Sequence, residues 1–217
     1  MDILSTVAWI SKSFLLINII ALVAVILLTL RLSKPIGLLL ALLVGMLFIE
    51  LLLEYFANRQ IPNIHLTHYY SIGQFLILSL IYSTHLKKFQ IAVPIGVALF
   101  SVVFIYQLLA GKIVYDQFNA AGFLISACIL MFYAFFYYIE HIAEKKYWDT
   151  FNVGLFLYLG GSSIIFLTMN SWEDLEHWNT IIWTLNASLS VLFQLFICIT
   201  IYRYYRILKT QNGISSL

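Results

Sequence analysis

The chain has 217 residues, of which 62% are hydrophobic and 10% charged, with a formal net charge of +2. Soluble domains carry about a quarter charged residues, and a chain this short has too little core volume to hide so much apolar surface. A soluble globular fold is excluded, and with no Lys/Arg block and so small a net charge there is no basis for a nucleic-acid partner.

A membrane helix needs about 20 mostly apolar residues. Seven such stretches fall at roughly 10–31, 36–57, 64–86, 90–110, 117–140, 148–170 and 177–202, so the expected fold is all-α: one seven-helix transmembrane domain over 1–217, with the lipid bilayer as its first partner. In the first stretch the apolar run Ser13 to Leu30 has 18 residues and is followed by Arg31 and Lys34 rather than by a small-residue cleavage site. It reads as a retained span and not as a signal peptide. The second stretch opens at Pro35 and carries Glu50 and Glu54; the third opens with His65 and His68. Pro94 lies near the start of the fourth, where a missing N–H costs little. No stretch holds a mid-helix proline, so broken-helix ion sites of the transporter kind are not signalled. The aromatic run Met131 to Tyr138 in the fifth reads as packing. Cys128 and Cys198 sit inside apolar stretches and read as packing residues rather than as a disulfide. The tail after Arg206, LKTQNGISSL, is too short for an output domain. Asn58 with His65, and Asn170 with His177, bracket the second and sixth loops at the same separation, a faint sign of repeated halves.

The loops are short, so sequence neighbours are expected to pack as antiparallel neighbours. Basic residues then fall on alternate loops. Arg31, Lys34, Lys87, Lys88, Lys145, Lys146, Arg203, Arg206 and Lys209 lie on one side; Lys12, Arg59 and Lys112 lie on the other. Cytoplasmic loops collect Lys and Arg, which puts the N-terminus outside and the C-terminus inside a bacterial inner membrane. Trp9, Trp172, Trp178 and Trp183 near the outer boundary and Trp148 near the inner one agree with the preference of indole for the headgroup region.

The unusual polar residues gather at the outer end. Glu50 lies fifteen residues beyond Pro35, roughly 22 Å from the inner boundary at 1.5 Å per residue. Glu54 follows at i+4 on the same face. His65 and His68 begin the next helix across a short loop, and His68 lies at a depth similar to that of Glu50. An ionisable group inside a membrane is a site hypothesis by default. Three readings compete: a hydrogen-bonded cap with Tyr55, Tyr69 or Tyr70, a ligand or proton site opening outward, and a metal site on Glu50, Glu54, His65 and His68. The candidate ligand-binding set is Glu50, Glu54, Asn58, His65, His68, Tyr70, Gln74, His177 and Asn186. Glu173, Asp174 and Glu176 make the sixth loop acidic, and Tyr115, Asp116 and Asn119 complete the outer polar set. Gln107, Asn152, Ser162, Ser163, Ser188 and Gln194 read as interhelical hydrogen-bonding residues. The inner half reads as chemically quiet, with His85 and His141 interfacial.

Several classes drop out. No lysine lies within the last helix, so there is no retinal Schiff base. The D/E-R-Y and N-P-x-x-Y receptor signatures, the Pro-Gln pair of sugar-transporter-like proteins, and the H-x-x-x-H of ceramidase-like hydrolases on the last helix are all missing. No G-x-S-x-G, Walker loop or C-x-x-C occurs, and no catalytic residues are assigned. The stretch Asn63 to Phe75 resembles a pattern in uncharacterised bacterial seven-helix membrane proteins, an Asn-containing loop leading into H-x-Y-x-x-x-E-F. Here it is His68, Tyr70, Gln74 and Phe75, with Gln in place of Glu. The resemblance implies a fold and no activity.

The functional expectation is an outward-facing ligand-binding or sensory module that acts through a membrane or cytoplasmic signalling partner. A small-molecule or ion transporter and a metal-dependent intramembrane enzyme are the alternatives. Sidedness is directly checkable. In a cysteine-free background, a cysteine at position 58 or 174 labels from the extracytoplasmic face; labelling from the cytosol alone overturns the topology.

Overall fold

The structure is a computed structural model. It describes the backbone of residues 3–29, 33–113, 118–142, 146–169 and 176–211, and their side chains except those of residues 4, 28, 29, 169 and 176–179. The described residues form seven α-helices and no strand: α1 Ile3–Thr29, α2 Lys34–Asn58, α3 His65–His85, α4 Ala92–Leu109, α5 Ala120–His141, α6 Trp148–Met169 and α7 Glu176–Gln211. Six are long and apolar enough to cross a membrane. The exception by composition is α3, whose 21 residues include His65, His68, Gln74 and His85. The protein is a multi-pass helical membrane bundle.

Two helices outrun their apolar stretches. Backbone hydrogen bonding does not stop where hydrophobicity does, so α1 starts at Ile3 rather than at residue 10. The segment after residue 202 has no glycine or proline before Gly213, and α7 continues to Gln211. Lys12, expected at a helix end, therefore stands well inside α1. The helix starts follow local chemistry elsewhere. Pro35 occupies the first turn of α2, and the Asn119 side chain accepts from the Gly122 amide at 2.9 Å to cap α5.

Every consecutive pair of helices packs together, and α1 also packs on α7. Contact between α3 and α5 leaves α4 outside. The result is a ring of α1, α2, α3, α5, α6 and α7, with α4 lying against α3 and α5. The ring's outer surface is apolar: Leu27, Phe48, Leu99, Val102, Phe132 and Ile164 are all exposed, as lipid-facing residues must be. Phe75, Leu78, Leu155 and Phe193 are fully buried inside it. A second aromatic group, Phe118, Phe123, Phe166 and Trp183, ties α5, α6 and α7 near one end.

Close approach of α6 and α7 depends on small residues. A Cβ on Gly154 would stand 2.4 Å from the Phe196 Cβ, whereas a Cβ on Gly45 would meet nothing within 4 Å. Gly154→Ala is therefore expected to lower the melting temperature in detergent, by about 1–3 kcal/mol of overpacking. Gly45→Ala is expected to leave it unchanged or raise it; equal effects at the two positions would overturn this account of the contact.

Candidate functional site

Glu50 and Glu54 are one turn apart on α2, and both turn toward α1. Ser11 Oγ donates to Glu50 Oε1 at 3.1 Å. Lys12 forms an ion pair with Glu54 and lies 5.1 Å from the Trp9 ring centre. Gln194 on α7 is fully buried, and its Nε2 donates to Ser11 Oγ at 2.9 Å. The hydrogen bonds thus run in one direction, from the Gln194 amide to the Ser11 hydroxyl to the Glu50 carboxylate. Below them, Asn18 Nδ2 donates to the Gln194 carbonyl at 3.2 Å, and Cys198 Sγ donates to Asn18 Oδ1 at 2.9 Å. These bonds join α1, α2 and α7 on the inside of the ring. Two buried atoms of the group make no hydrogen bond: Glu50 Oε2 and Gln194 Oε1.

The third wall comes from α3 and α6. Tyr70 and Gln74 both face Tyr158, and Glu50 is the carboxylate neighbour of the two tyrosines. Gln74 is 5% exposed and Tyr158 4%, and Gln74 Nε2 makes no direct hydrogen bond. Counting from the helix ends at 1.5 Å per residue, Glu50, Gln74 and Tyr158 lie about 12–16 Å below the Asn58–His65 rim. They share one level of the ring axis.

The expected meeting of Glu50, Glu54, His65 and His68 does not occur. The carboxylates are drawn to the serine and lysine of α1, which satisfy them better than a histidine across the α2–α3 turn. His65 packs edge-on to Phe56, 6.1 Å between ring centres. His68 looks the other way, into a cavity with room for about one water between α3, α4 and α5, beside Phe104, Phe118 and Asn119. Among the described residues no three His, Cys, Asp or Glu side chains come together in a group that could hold a metal. Asn58 is exposed at the end of α2. Asn186 is in the interface of α6 and α7, accepting from Ser162 Oγ at 2.7 Å. His177 and the acidic side chains of the sixth loop, with Asn170, Tyr115 and Asp116, lie outside the described residues. The remaining cations of this end rest on aromatic rings: Arg59 on Tyr55 at 4.7 Å and Lys112 on Tyr106 at 5.3 Å.

The opposite half is not quiet, contrary to expectation. Tyr82 on α3 donates to Asn152 Oδ1 on α6, and Asn152 Nδ2 donates to the Ala134 carbonyl at 2.9 Å. Tyr133 donates to the Val93 carbonyl at 3.0 Å. Tyr137 donates to Asp149 Oδ1 at 3.2 Å, and Asp149 Oδ2 accepts from the Lys146 amide at 2.9 Å. His141 stacks on Tyr137 at 4.5 Å, and His85 meets Trp148 edge-on at 4.7 Å. A second cavity with room for about one water lies among Tyr82, His85, Tyr137, Trp148 and Asn152. Sequence reasoning missed Ser11, Lys12, Tyr158 and this tyrosine set. The available signal was the low hydropathy of α3, whose polar residues Gln74, Tyr82 and His85 fall on one face with Leu78 between them.

Comparison with protein-family models, curated proteins and solved structures finds no match. The resemblance at Asn63 to Phe75 therefore stands on those residues alone.

The ion pair is testable as a pair. Lys12→Met and Glu54→Gln should each lower stability, and the double variant should cost less than the sum, with a coupling of about 0.5–3 kcal/mol in a double-mutant cycle. Strict additivity would mean that the two side chains do not meet.

Proposed function

We propose that the protein is an outward-facing sensory module of a bacterial inner membrane, and that the ligand of its site is a proton taken up at Glu50. One observation carries the reading: Glu50 sits inside the ring with one oxygen on Ser11 and the other, buried, on nothing, while the nearest cation, Lys12, is already engaged by Glu54. A buried carboxylate held this way is costly, because its charge lacks a partner and one oxygen lacks a donor. A proton removes the charge and turns that oxygen into a donor. Acceptors stand ready in the Tyr70 and Tyr158 hydroxyls and in the unpartnered Gln194 Oε1.

The groups around Glu50 are Lys12 from α1, Tyr70 from α3, Tyr158 from α6, the uncharged Gln194 from α7, and Glu54 on its own helix. A change of charge at Glu50 is felt by five helices at once. The signal leaves through the basic face, where α7 continues with Arg203, Arg206 and Lys209 exposed or half-buried toward a partner.

Trp183 packs on Phe118 and Phe166 and gives an optical readout of the α5–α6–α7 packing. Purified protein is expected to show a pH-dependent step in tryptophan emission and in melting temperature across the carboxyl titration range. Glu50→Gln should abolish the step while keeping the protein folded, and Glu50→Asp should shift it. A step that survives in Glu50→Gln would remove Glu50 as the sensor.

A further inference from the structure

We propose that the axis of the ring is a proton path joining the Glu50 level to the opposite face, so that the protein passes protons across the membrane. The proposal rests on the reading of Glu50 as a protonation site and extends it to an activity.

The observation is an alignment of buried polar groups on helices that are not neighbours. α3 and α6 make no backbone approach to each other among the described residues, yet their polar side chains meet across the axis at two levels. At the first level are Glu50, Tyr70, Gln74 and Tyr158. At the second are Tyr82 and Asn152, hydrogen-bonded and 3% and 2% exposed. Ser79 lies between them, 2% exposed, facing Tyr133 and making no direct hydrogen bond. The water-sized cavity follows below Tyr82, and the line ends at Tyr137, Asp149 and His141. From Gln74 to His85 the α3 groups cover about 16 Å of helix axis. Glu50 shares the level of Gln74, about 12 Å from the Asn58–His65 rim, and Asp149 lies in the first turn of α6, so the series covers the part of the ring from the Glu50 level to the opposite end.

Packing alone gives no reason for the unpaired members. Buried polar atoms without a protein partner, here Glu50 Oε2, Gln74 Nε2 and Ser79 Oγ, are costly in lipid and mark places where internal water is held. Water beside hydroxyls moves protons by exchanging O–H bonds, with no change of oxidation state. Glu50 gives up its proton to an adjacent oxygen and regains its charge. Each hydroxyl or water accepts one proton and releases another, Gln74 and Asn152 hold waters and hydroxyls in place, and Asp149 receives the proton before it leaves to solvent. One interruption controls the path. Leu78 lies one turn from both Gln74 and Tyr82, Leu155 lies three residues from both Asn152 and Tyr158, and both leucines are 0% exposed. These two form an apolar collar, and protons pass when water crosses it.

The test uses the full chain in liposomes enclosing a pH-sensitive dye, with a potassium diffusion potential as driving force. Wild-type vesicles should change internal pH faster than protein-free ones. Glu50→Gln and the Tyr82→Phe/Asn152→Leu double variant should return the rate to the protein-free leak. Leu155→Ser should raise it above wild type, which a merely misfolded protein does not do in a manner reversed by adding Glu50→Gln. Every variant must elute as the wild type does on size exclusion. A wild-type rate equal to the leak overturns the path; if the pH step of Glu50 persists in that sample, the sensory reading stands without it. A rate untouched by Glu50→Gln also overturns the path, as does a Leu155→Ser rate that remains high in the Glu50→Gln background.

Discussion

Charge inside lipid has to be matched, and in this bundle one lysine serves two glutamates. Lys12 pairs with Glu54, nearer the rim, and leaves Glu50 with a serine hydroxyl and an uncharged amide behind it. The arrangement holds three helices together, because Lys12 and Ser11 belong to α1, the carboxylates to α2 and Gln194 to α7. It also leaves a fixed asymmetry. Glu54 has a cation paired with it, whereas Glu50 has a neutral hydroxyl on one oxygen and no hydrogen bond on the other. The half of the ring toward the Asn58–His65 end is organised around that second carboxylate, with Gln74 and Tyr158 buried and Tyr70 half-buried at its level.

Polarity in this protein is radial. A soluble bundle hides apolar side chains on its axis and shows polar ones outside; here Leu99, Val102, Phe132 and Ile164 face outward and Gln74, Tyr82, Asn152 and Gln194 face in. That inversion follows from lipid as solvent, since interhelical hydrogen bonds are sheltered on the axis and apolar surface costs nothing at the periphery. α3 has the lowest claim to be a membrane span because it contributes most to the axis. α4, displaced from the ring and packed only on α3 and α5, has no charged residue and buries one amide, Gln107, which accepts from Asn119.

Helix number and approximate bounds were legible in the sequence, because each depends on composition along one helix. The partner of Glu50 was not. Proximity along the chain favoured His65 and His68, 15 and 18 residues away, while the actual contact comes from Ser11, 39 residues away, which is itself held by Gln194, 183 residues from Ser11. Lys12 was placed at the end of the first stretch, roughly 10–31, whereas α1 begins at Ile3 and carries it well inside the helix. The second polar level was overlooked for a different reason. Tyrosine counts as apolar in a scan for spans, so Tyr82, Tyr133 and Tyr137 were read as bulk, and their hydroxyls acquire partners only when α3, α5 and α6 are brought around one axis.

On the proposed reading, the collar of Leu78 and Leu155 decides whether proton sensing and proton passage are separate acts. If Leu78 and Leu155 stay closed whenever Glu50 is charged, uptake of a proton at one level and its release at the other cannot happen in the same conformation. The charged and neutral forms of Glu50 then differ in how tightly α1, α2 and α7 are drawn to the axis, since Ser11 can donate to a carboxylate but must share a carboxyl group whose own O–H seeks an acceptor. A looser contact on that side frees space beside α6, whose Gly154 and Gly161 already let α7 approach as near as Phe196 and Leu189 allow. Movement of α7 against α6 alters the setting of Leu155 and also the projecting basic end beyond Tyr202. On the proposed reading, one displacement of α7 against α6 would both open the collar and reposition the basic end of α7, joining the two proposed roles of Glu50 in a single motion.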